Sequence, residues 1–424
     1  MRSPLPDYMT EVLEACSEED GGELAAYIPE LARADPTRLA LALATPDGTR
    51  YAVGDADVRF TIQSISKPFA YALALVDHGL DAVLERVGVE PSGEAFNEIS
   101  LDPSSNRPLN PMINAGAITV HSLLDADRVA AGFAAFAGRD LEVDERVCAS
   151  ELEAADRNHA IAYMLRNHGI VDADPHAIVE GYTRQCSLLV DVADLAVMAA
   201  TLANAGTNPV TGERVVARWV ARQTLSVMTT CGMYDAAGDW FTTVGIPAKS
   251  GVSGGLIGAL PGKGGFAALS PRLDRHGNST RGVQIFERLS ADMGMHLMEV
   301  PPAARPLRHG HESADRDDDG SRESIYELQG SVDFVGMERL LVELEREDDD
   351  EREIVLDLAR VHEVRDVGRR MLLEAARRLG LDGHAVTFVD PDDMLEIGDA
   401  DAIDVGDGPE ARVVREREVR EHEG

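Results

Sequence analysis

The segment FTIQSISKPF, residues 60–69, places Ser64 three residues ahead of Lys67. A hydroxyl and an amine at that spacing can act as nucleophile and base, provided both lie on one helix face. Apolar residues recur after Ser64 at Phe69, Ala70, Leu73 and Val76, and Gly79 follows as a stop signal. The spacing predicts a helix that begins near Ser64. Pro68 fits that start, because proline is tolerated in the first helical turn and not in a helix interior. A serine at a helix N-terminus also has unpaired backbone N–H groups and the positive dipole end beside it. Lys and Arg together number 40, yet lysine occurs only at positions 67, 249 and 263. An exposed cation needs only charge, which arginine supplies. A retained lysine points to what arginine cannot do, which is to give up its proton in a desolvated site.

The second lysine opens Lys249-Ser250-Gly251, followed by Val252. Ser-x-x-Lys paired with Lys-[Ser/Thr]-Gly on a facing strand is similar to the motif set of serine hydrolases of the β-lactamase and penicillin-binding class. In that arrangement the strand supplies one N–H to an oxyanion hole, here that of Val252, and a cation near a substrate carboxylate, here Lys249. Taken singly, each motif has a plainer explanation. Ser-x-x-Lys is usually a capped helix with a solvated lysine, and a Gly-rich hairpin needs no chemistry.

The bulk composition narrows the partners. Net charge is −35 and the isoelectric point about 4.6, with acid spread along all 424 residues. Nucleic acid and anionic membrane surfaces are excluded as expected partners, since both need a basic face. Asp/Glu excess with scarce lysine suits a high-salt cytosol, where screening relieves self-repulsion. Cys16, Cys148, Cys186 and Cys231 form no close pair, so neither a metal nor a redox motif is expected. The first twenty residues lack an apolar signal core, and no stretch reaches 18 apolar residues. The chain reads as soluble and cytoplasmic.

One boundary stands out. Residues 301–324 are rich in proline, charge and small polar residues and read as a linker. Residues 1–300 form the larger unit, in which 249–270 reads as two strands joined by a turn. Residues 325–412 read as a compact α/β unit of strand, helix, strand, helix, strand, with helices over 334–347 and 366–380 and a partly parallel sheet. Residues 413–424 read as a charged, frayed tail.

Longer stretches carry a family resemblance across about residues 10–300. AAYIPELA (25–32), EPSGEAFNEI (90–99), RPLNPMINAGAI (107–118), SELEAADRNHAIAYML (150–165), GYTRQCSL (181–188), MTTCGMYDAAGDW (228–240) and GIPAKSGVSGGLIGALPGK (245–263) join the Ser64 segment in resembling the serine-dependent glutaminases. The resemblance implies a β-lactamase/DD-peptidase-like α/β (α+β) fold and hydrolysis of L-glutamine to glutamate and ammonia. It implies Ser64 as nucleophile, Lys67 as base, and Tyr27, Asn114, Glu151, Asn158, Tyr182, Tyr234 and Val252 as substrate contacts, with no metal or organic cofactor. Glu151 suits the substrate ammonium; Asn114 and the tyrosines suit its carboxylate. Glu151 and Asn158, seven apart, are expected on one helix face. Tyr182 or Tyr234 is expected to relay a proton to the leaving ammonia. Lys263 fits a structural Pro-Gly-Lys turn, and the family implies a homo-oligomer, a tetramer.

Residues 325–412 resemble a STAS domain through YELQGSVDF, IVLDLARVHEV and GHAVTFVDP. Where regulatory members carry a phosphorylatable serine, the turn here reads EVRDVG (363–368) and offers none. A binding or assembly module is expected, with a protein partner that the sequence does not name. Two other readings of the whole chain stay open: a β-lactam or peptide hydrolase, and a non-catalytic glutamine sensor.

Overall fold

The computed structural model describes residues 5–26, 28–93, 98–299, 307–309, 322–332, 337, 340–341, 343–344, 352–364, 366–396, 402–403 and 411–415. The chain divides into two compact units, Met1–Glu299 and Val300–Gly424.

The first unit is built on an antiparallel sheet in the order β2-β1-β7-β6-β5, from β1 (Ala40–Ala44), β2 (Arg50–Gly54), β5 (Ala248–Ser250), β6 (Gly255–Leu260) and β7 (Gly264–Leu269). A short ribbon pairs β3 (Phe60–Thr61) with β4 (Leu189–Val190). The central strands are buried on both faces, which is why they read as unbroken apolar runs. Alternation sorts their side chains. Ala40, Ala42, Ala44, Ala259 and Ala267 turn toward one core with the helices Ser66–His78 and Val192–Ala203. Leu41, Leu43, Leu260 and Phe266 turn to the other, against Leu5–Ser17 and Thr280–Met293. The alanine face lets a helix approach closely. An added Cβ at Gly265 would lie 2.1 Å from the Ala200 nitrogen.

The helix predicted after Ser64 is present as Ser66–His78, preceded by a 3-10 turn over Gln63–Ile65 and ended at Gly79. Residues 66–75 are all buried, so this helix runs through the centre of the unit. A further layer, from Asn114–His121, Asp156–Asn167 and Pro175–Cys186, has its own core around Ile118, Ile161, Val179 and Tyr182.

Several details differ from expectation. Residues 249–270 lie in three strands rather than two, because β5 joins the hairpin as its edge strand, Lys249 pairing with Ile257. Glu151 and Asn158 lie on separate helices, Glu145–Glu153 and Asp156–Asn167. Between them the Ala154 and Ala155 N–H groups bond to the Glu151 and Leu152 carbonyls three residues back, a tighter turn that ends the first helix although the intervening sequence favours helix. In the second unit, β8 (Leu307–His309) and the start of β9 (Arg322–Val332) are paired strands, so these residues of 301–324 belong to the sheet rather than to a linker.

That second sheet runs β12-β13-β11-β10-β9-β8. β10 (Arg352–Val364) is parallel to β9 and to β11 (Ala385–Val389), and β11 is parallel to β13 (Ala411–Val414). β12 (Ala402–Ile403) is antiparallel to β13. Val413 and Val414 are thus strand rather than frayed tail. The helix over 366–380 is present as Asp366–Leu381; most of 334–347 lies outside the described residues, and so does the side chain of Asp366.

Gly232 marks how tightly the loop before Tyr234 meets the sheet: an added Cβ would sit 1.8 Å from the Ala248 carbonyl oxygen. Backbone cannot yield as a flexible side chain does. Gly232→Ala is expected to cost about 1–3 kcal/mol of stability, measured as a lower thermal midpoint for the first unit. An unchanged midpoint would contradict this packing.

Candidate active site

Ser64 sits in the turn that enters the central helix, flanked by Gln63 in the left-handed region at φ 51°. A non-glycine residue held there is strained and needs its surroundings to keep it. The Gln63 side chain supplies part of that hold. Its Nε2 donates to Thr61 Oγ1 and to Glu151 Oε2, each at 3.2 Å. The strained turn and the Glu151 carboxylate are therefore tied together.

Lys67 lies within the first helical turn and is 1% exposed. Its Nζ donates to the Met112 carbonyl at 3.1 Å and to Asn114 Oδ1 at 2.8 Å. Asn114 Nδ2 in turn donates to Asn158 Oδ1 at 3.1 Å. Burial pulls the Lys67 ammonium down from 10.5 to about 8, against the attraction of Glu151. Burial pushes the half-buried Glu151 carboxyl up to about 7, while Gln63 and Lys67 pull it back. Asn114 opens its helix beside the Asn110–Pro111 turn, and Gly116 makes room there: a Cβ would meet the Asn110 carbonyl oxygen at 1.9 Å.

Val252 follows the edge strand β5. In its turn the Gly251 N–H bonds to Gly255 and the Gly254 N–H to Gly251, and the Val252 N–H takes part in neither. A Cβ at Gly251 would lie 3.1 Å from the Ile62 carbonyl oxygen, so this turn rests against the Ser64 turn. Tyr234, also left-handed at φ 57°, directs its phenol to the Ser64 side chain and to the Ser250 carbonyl at 3.5 Å. Tyr182 is buried in the core that it shares with Cys186, and burial raises its phenol well above the ordinary value. Lys249 is fully buried. Its Nζ donates to Ser250 O at 2.7 Å and lies 3.9 Å from the Tyr234 ring centroid. Tyr27 lies outside the described residues.

Among the described residues, Ser64, Lys67, Asn114, Glu151, Asn158 and Tyr234 are joined by hydrogen bonds and charge, Gln63 linking Glu151 to the Ser64 turn. Two further features were not singled out from sequence. One is Gln63 itself. The other is a buried chain in which His121 Nδ1 lies 2.9 Å from Gln185 Oε1, Gln185 Nε2 donates to Ser66 Oγ at 3.0 Å, and Ser66 Oγ lies 3.9 Å from Cys186 Sγ. Burial holds the Cys186 thiol up at about 12, so it stays protonated and inert. Adjacency to the Ser64 and Tyr182 segments was the only sequence signal for these groups. No helix of the described residues is long and apolar enough to cross a membrane, and no group of three or more His, Cys, Asp or Glu among them could hold a metal.

The sequence profile of the family described as Glutaminase matches residues 22–298. The chain belongs to the glutaminase family. It is 49% identical over 401 residues to the glutaminase of Corynebacterium efficiens, covering 92% of this chain and 93% of that one. Against Glutaminase 2 of Bradyrhizobium diazoefficiens it is 44% identical, covering 89% and 64%. Among solved structures, Mglu in its glutamate form is 44% identical with a TM-score of 0.80, covering 92% and 99%. The probable glutaminase of Bacillus subtilis complexed with 6-diazo-5-oxo-L-norleucine is 32% identical with a TM-score of 0.65, covering 70% and 98%. This glutaminase is an amidohydrolase that converts glutamine to glutamate. Its likeness to Mglu takes in most of the second unit as well as the first.

A buried lysine has a stability signature. Unfolded, Lys67 keeps its proton up to about 10.5; folded, only up to about 8. Between those values the unfolded state binds more protons, so stability rises with pH. Relative to Lys67→Met, the wild-type glutaminase is expected to gain on the order of 3 kcal/mol as pH rises from about 8 to above 10. Denaturant unfolding of both proteins across that range checks it; a constant gap would contradict the burial of Lys67.

Proposed function

We propose that glutamine is hydrolysed through an acyl-enzyme on Ser64. The observation that carries this reading is the buried Lys67 amine, one helical turn from Ser64, with its ammonium disfavoured by desolvation. Ser64 Oγ attacks the side-chain amide carbon, and its proton passes to Lys67 Nζ. The N–H groups of Ser64 and Val252 hold the tetrahedral oxyanion. The C–N bond then breaks, and the departing nitrogen leaves as ammonia with a proton from the Tyr234 phenol, which Lys67 replenishes. Water attacks the glutamyl ester with the same groups working in reverse, which frees glutamate and restores Ser64. Tyr234 is the better relay because its phenol reaches the Ser250 carbonyl and its ring lies beside the Lys67 and Lys249 amines, whereas Tyr182 belongs to the core around Ile118 and Cys186.

Glu151 receives the substrate ammonium. Asn114, Asn158 and Tyr182 complete the head-group pocket, and the family resemblance adds Tyr27 as a substrate contact. A site that hydrogen-bonds a free amino-acid head group rejects amides that lack one, which favours glutamine over β-lactams and peptides. The sandwich of helices about an antiparallel sheet supports a β-lactamase/DD-peptidase-like scaffold. The second unit, with its parallel strands β9, β10 and β11, is read as a STAS-like module for assembly or partner binding. The chain is read as a cytoplasmic homotetramer adapted to high salt, a reading its net charge of −35 supports.

Ser64→Ala and Lys67→Arg are each expected to lose at least about 10³-fold in ammonia release from glutamine. Near-normal turnover by either would sink the mechanism. Rising pH frees the Lys67 amine above about 8 and ionises Glu151 above about 7, and both changes assist the reaction. In wild type kcat/KM is therefore expected to climb with pH through about 7 to 8. A profile flat from about pH 6 to 9 would contradict the assignment of Lys67 as base.

A further inference from the structure

Lys249 is the residue whose surroundings least fit the role its motif suggests. A cation that meets a substrate carboxylate must present its ammonium to the cleft. Lys249 is 0% exposed. Its amine is spent on the Ser250 carbonyl at 2.7 Å and on the Tyr234 ring, whose centroid lies 3.9 Å away. The Tyr234 phenol reaches the same Ser250 carbonyl at 3.5 Å. Ser250 itself is fixed, its Oγ lying 2.6 Å from Asn278 Oδ1. Amine, ring, phenol and carbonyl thus close on one another.

Tyr234 needs such a hold. Its backbone is left-handed at φ 57°, a conformation that strains a non-glycine residue. The loop reaches β5 only because Gly232 leaves no Cβ against Ala248. Released from Lys249, the ring could relax and carry its hydroxyl away from Ser64. Burial and the Lys67 charge both push the Lys249 ammonium down, consistent with an amine that packs rather than one that binds an anion. Arginine could not substitute, since a planar guanidinium is too broad for a closed site beside a ring and keeps its charge.

We propose that Lys249 is a positioning residue that clamps Tyr234 for proton transfer at Ser64 and makes no contact with the substrate carboxylate. The proposal rests on the reading of Tyr234 as proton relay.

The test is steady-state kinetics on wild type, Lys249→Met, Tyr234→Phe and the double variant. The substrates are glutamine and 4-aminobutanamide, which is glutamine without its α-carboxylate. Methionine matches the lysine stem in a buried site, and Lys249→Gln, which keeps one donor, stands in if the methionine variant fails to fold. Lys249→Met is expected to lower kcat at least about 30-fold and leave KM within about threefold. Preference for glutamine over 4-aminobutanamide should stay within about threefold of wild type, and in the Tyr234→Phe background the same change should cost less than about threefold. Lys249→Gln should recover part of kcat.

Three results would overturn the clamp: a KM raised more than about tenfold with lost preference for glutamine, an unchanged kcat, or a full cost in the Phe background. The relay reading is judged separately. A Tyr234→Phe enzyme with near-normal kcat removes the relay, while KM and substrate preference in Lys249→Met still decide whether the amine touches the carboxylate.

Discussion

Two lysine amines buried in one site, with a tyrosine ring 3.9 Å from one and 5.9 Å from the other, are what the rest of this glutaminase is arranged around. Burying an ammonium is expensive, and burying two near each other is more so. Lys67 alone costs on the order of 3 kcal/mol below pH 8, from the fall of its ammonium to about 8. That is a large share of an ordinary stability margin. On the proposed mechanism, what the fold gains is an amine that loses its proton far more readily than a solvated lysine and sits one turn from a hydroxyl. A solvated lysine in the same helix would hold its proton and be useless for the chemistry.

The scaffold shows how such a site is held. The helix bearing Lys67 is buried for its first ten residues, so the amine has no path for snorkelling to water. The partners of the two amines are fixed by others: for Lys67, Asn114 by Asn158 and Glu151 by Gln63; for Lys249, Ser250 by Asn278. Two residues, Gln63 beside Ser64 and Tyr234 beside Lys249, sit in left-handed backbone. Strain placed at a site and maintained by packing around it belongs to preorganisation: donors and acceptors are already aimed before substrate arrives. The alanine face of the sheet and the close approaches at Gly116 and Gly232 let helices and loops pack closely around these residues.

Much of this was legible in the sequence. The helix after Ser64 could be read from periodicity, Pro68 and Gly79, because those signals are local. The scarcity of lysine singled out Lys67 and Lys249, both of which turn out to be buried. What could not be read depends on tertiary contact. Glu151 and Asn158 share a strong helical sequence, yet a tight turn at Ala154–Ala155 divides it into two helices. The left-handed turns at Gln63 and Tyr234 carry no glycine or asparagine to announce them. Lys249 fitted a motif whose lysine faces substrate, and only its burial behind Tyr234 argues for another role. In the second unit, β8 arises from a charged, proline-rich stretch that has no strand pattern of its own.

The central claim is that burial leaves Lys67 able to shed its proton at working pH. With three lysines in the chain, the protein grown on lysine labelled with ¹³C at Cε gives a spectrum of three side chains, and Lys67→Met and Lys249→Met assign two of them. Followed against pH, the Lys67 signal is predicted to move with a midpoint near 8, well below an ordinary lysine. If it stays in its protonated position until the ordinary lysine range, Lys67 is a cation throughout the working range, and the Ser64–Lys67 mechanism does not stand.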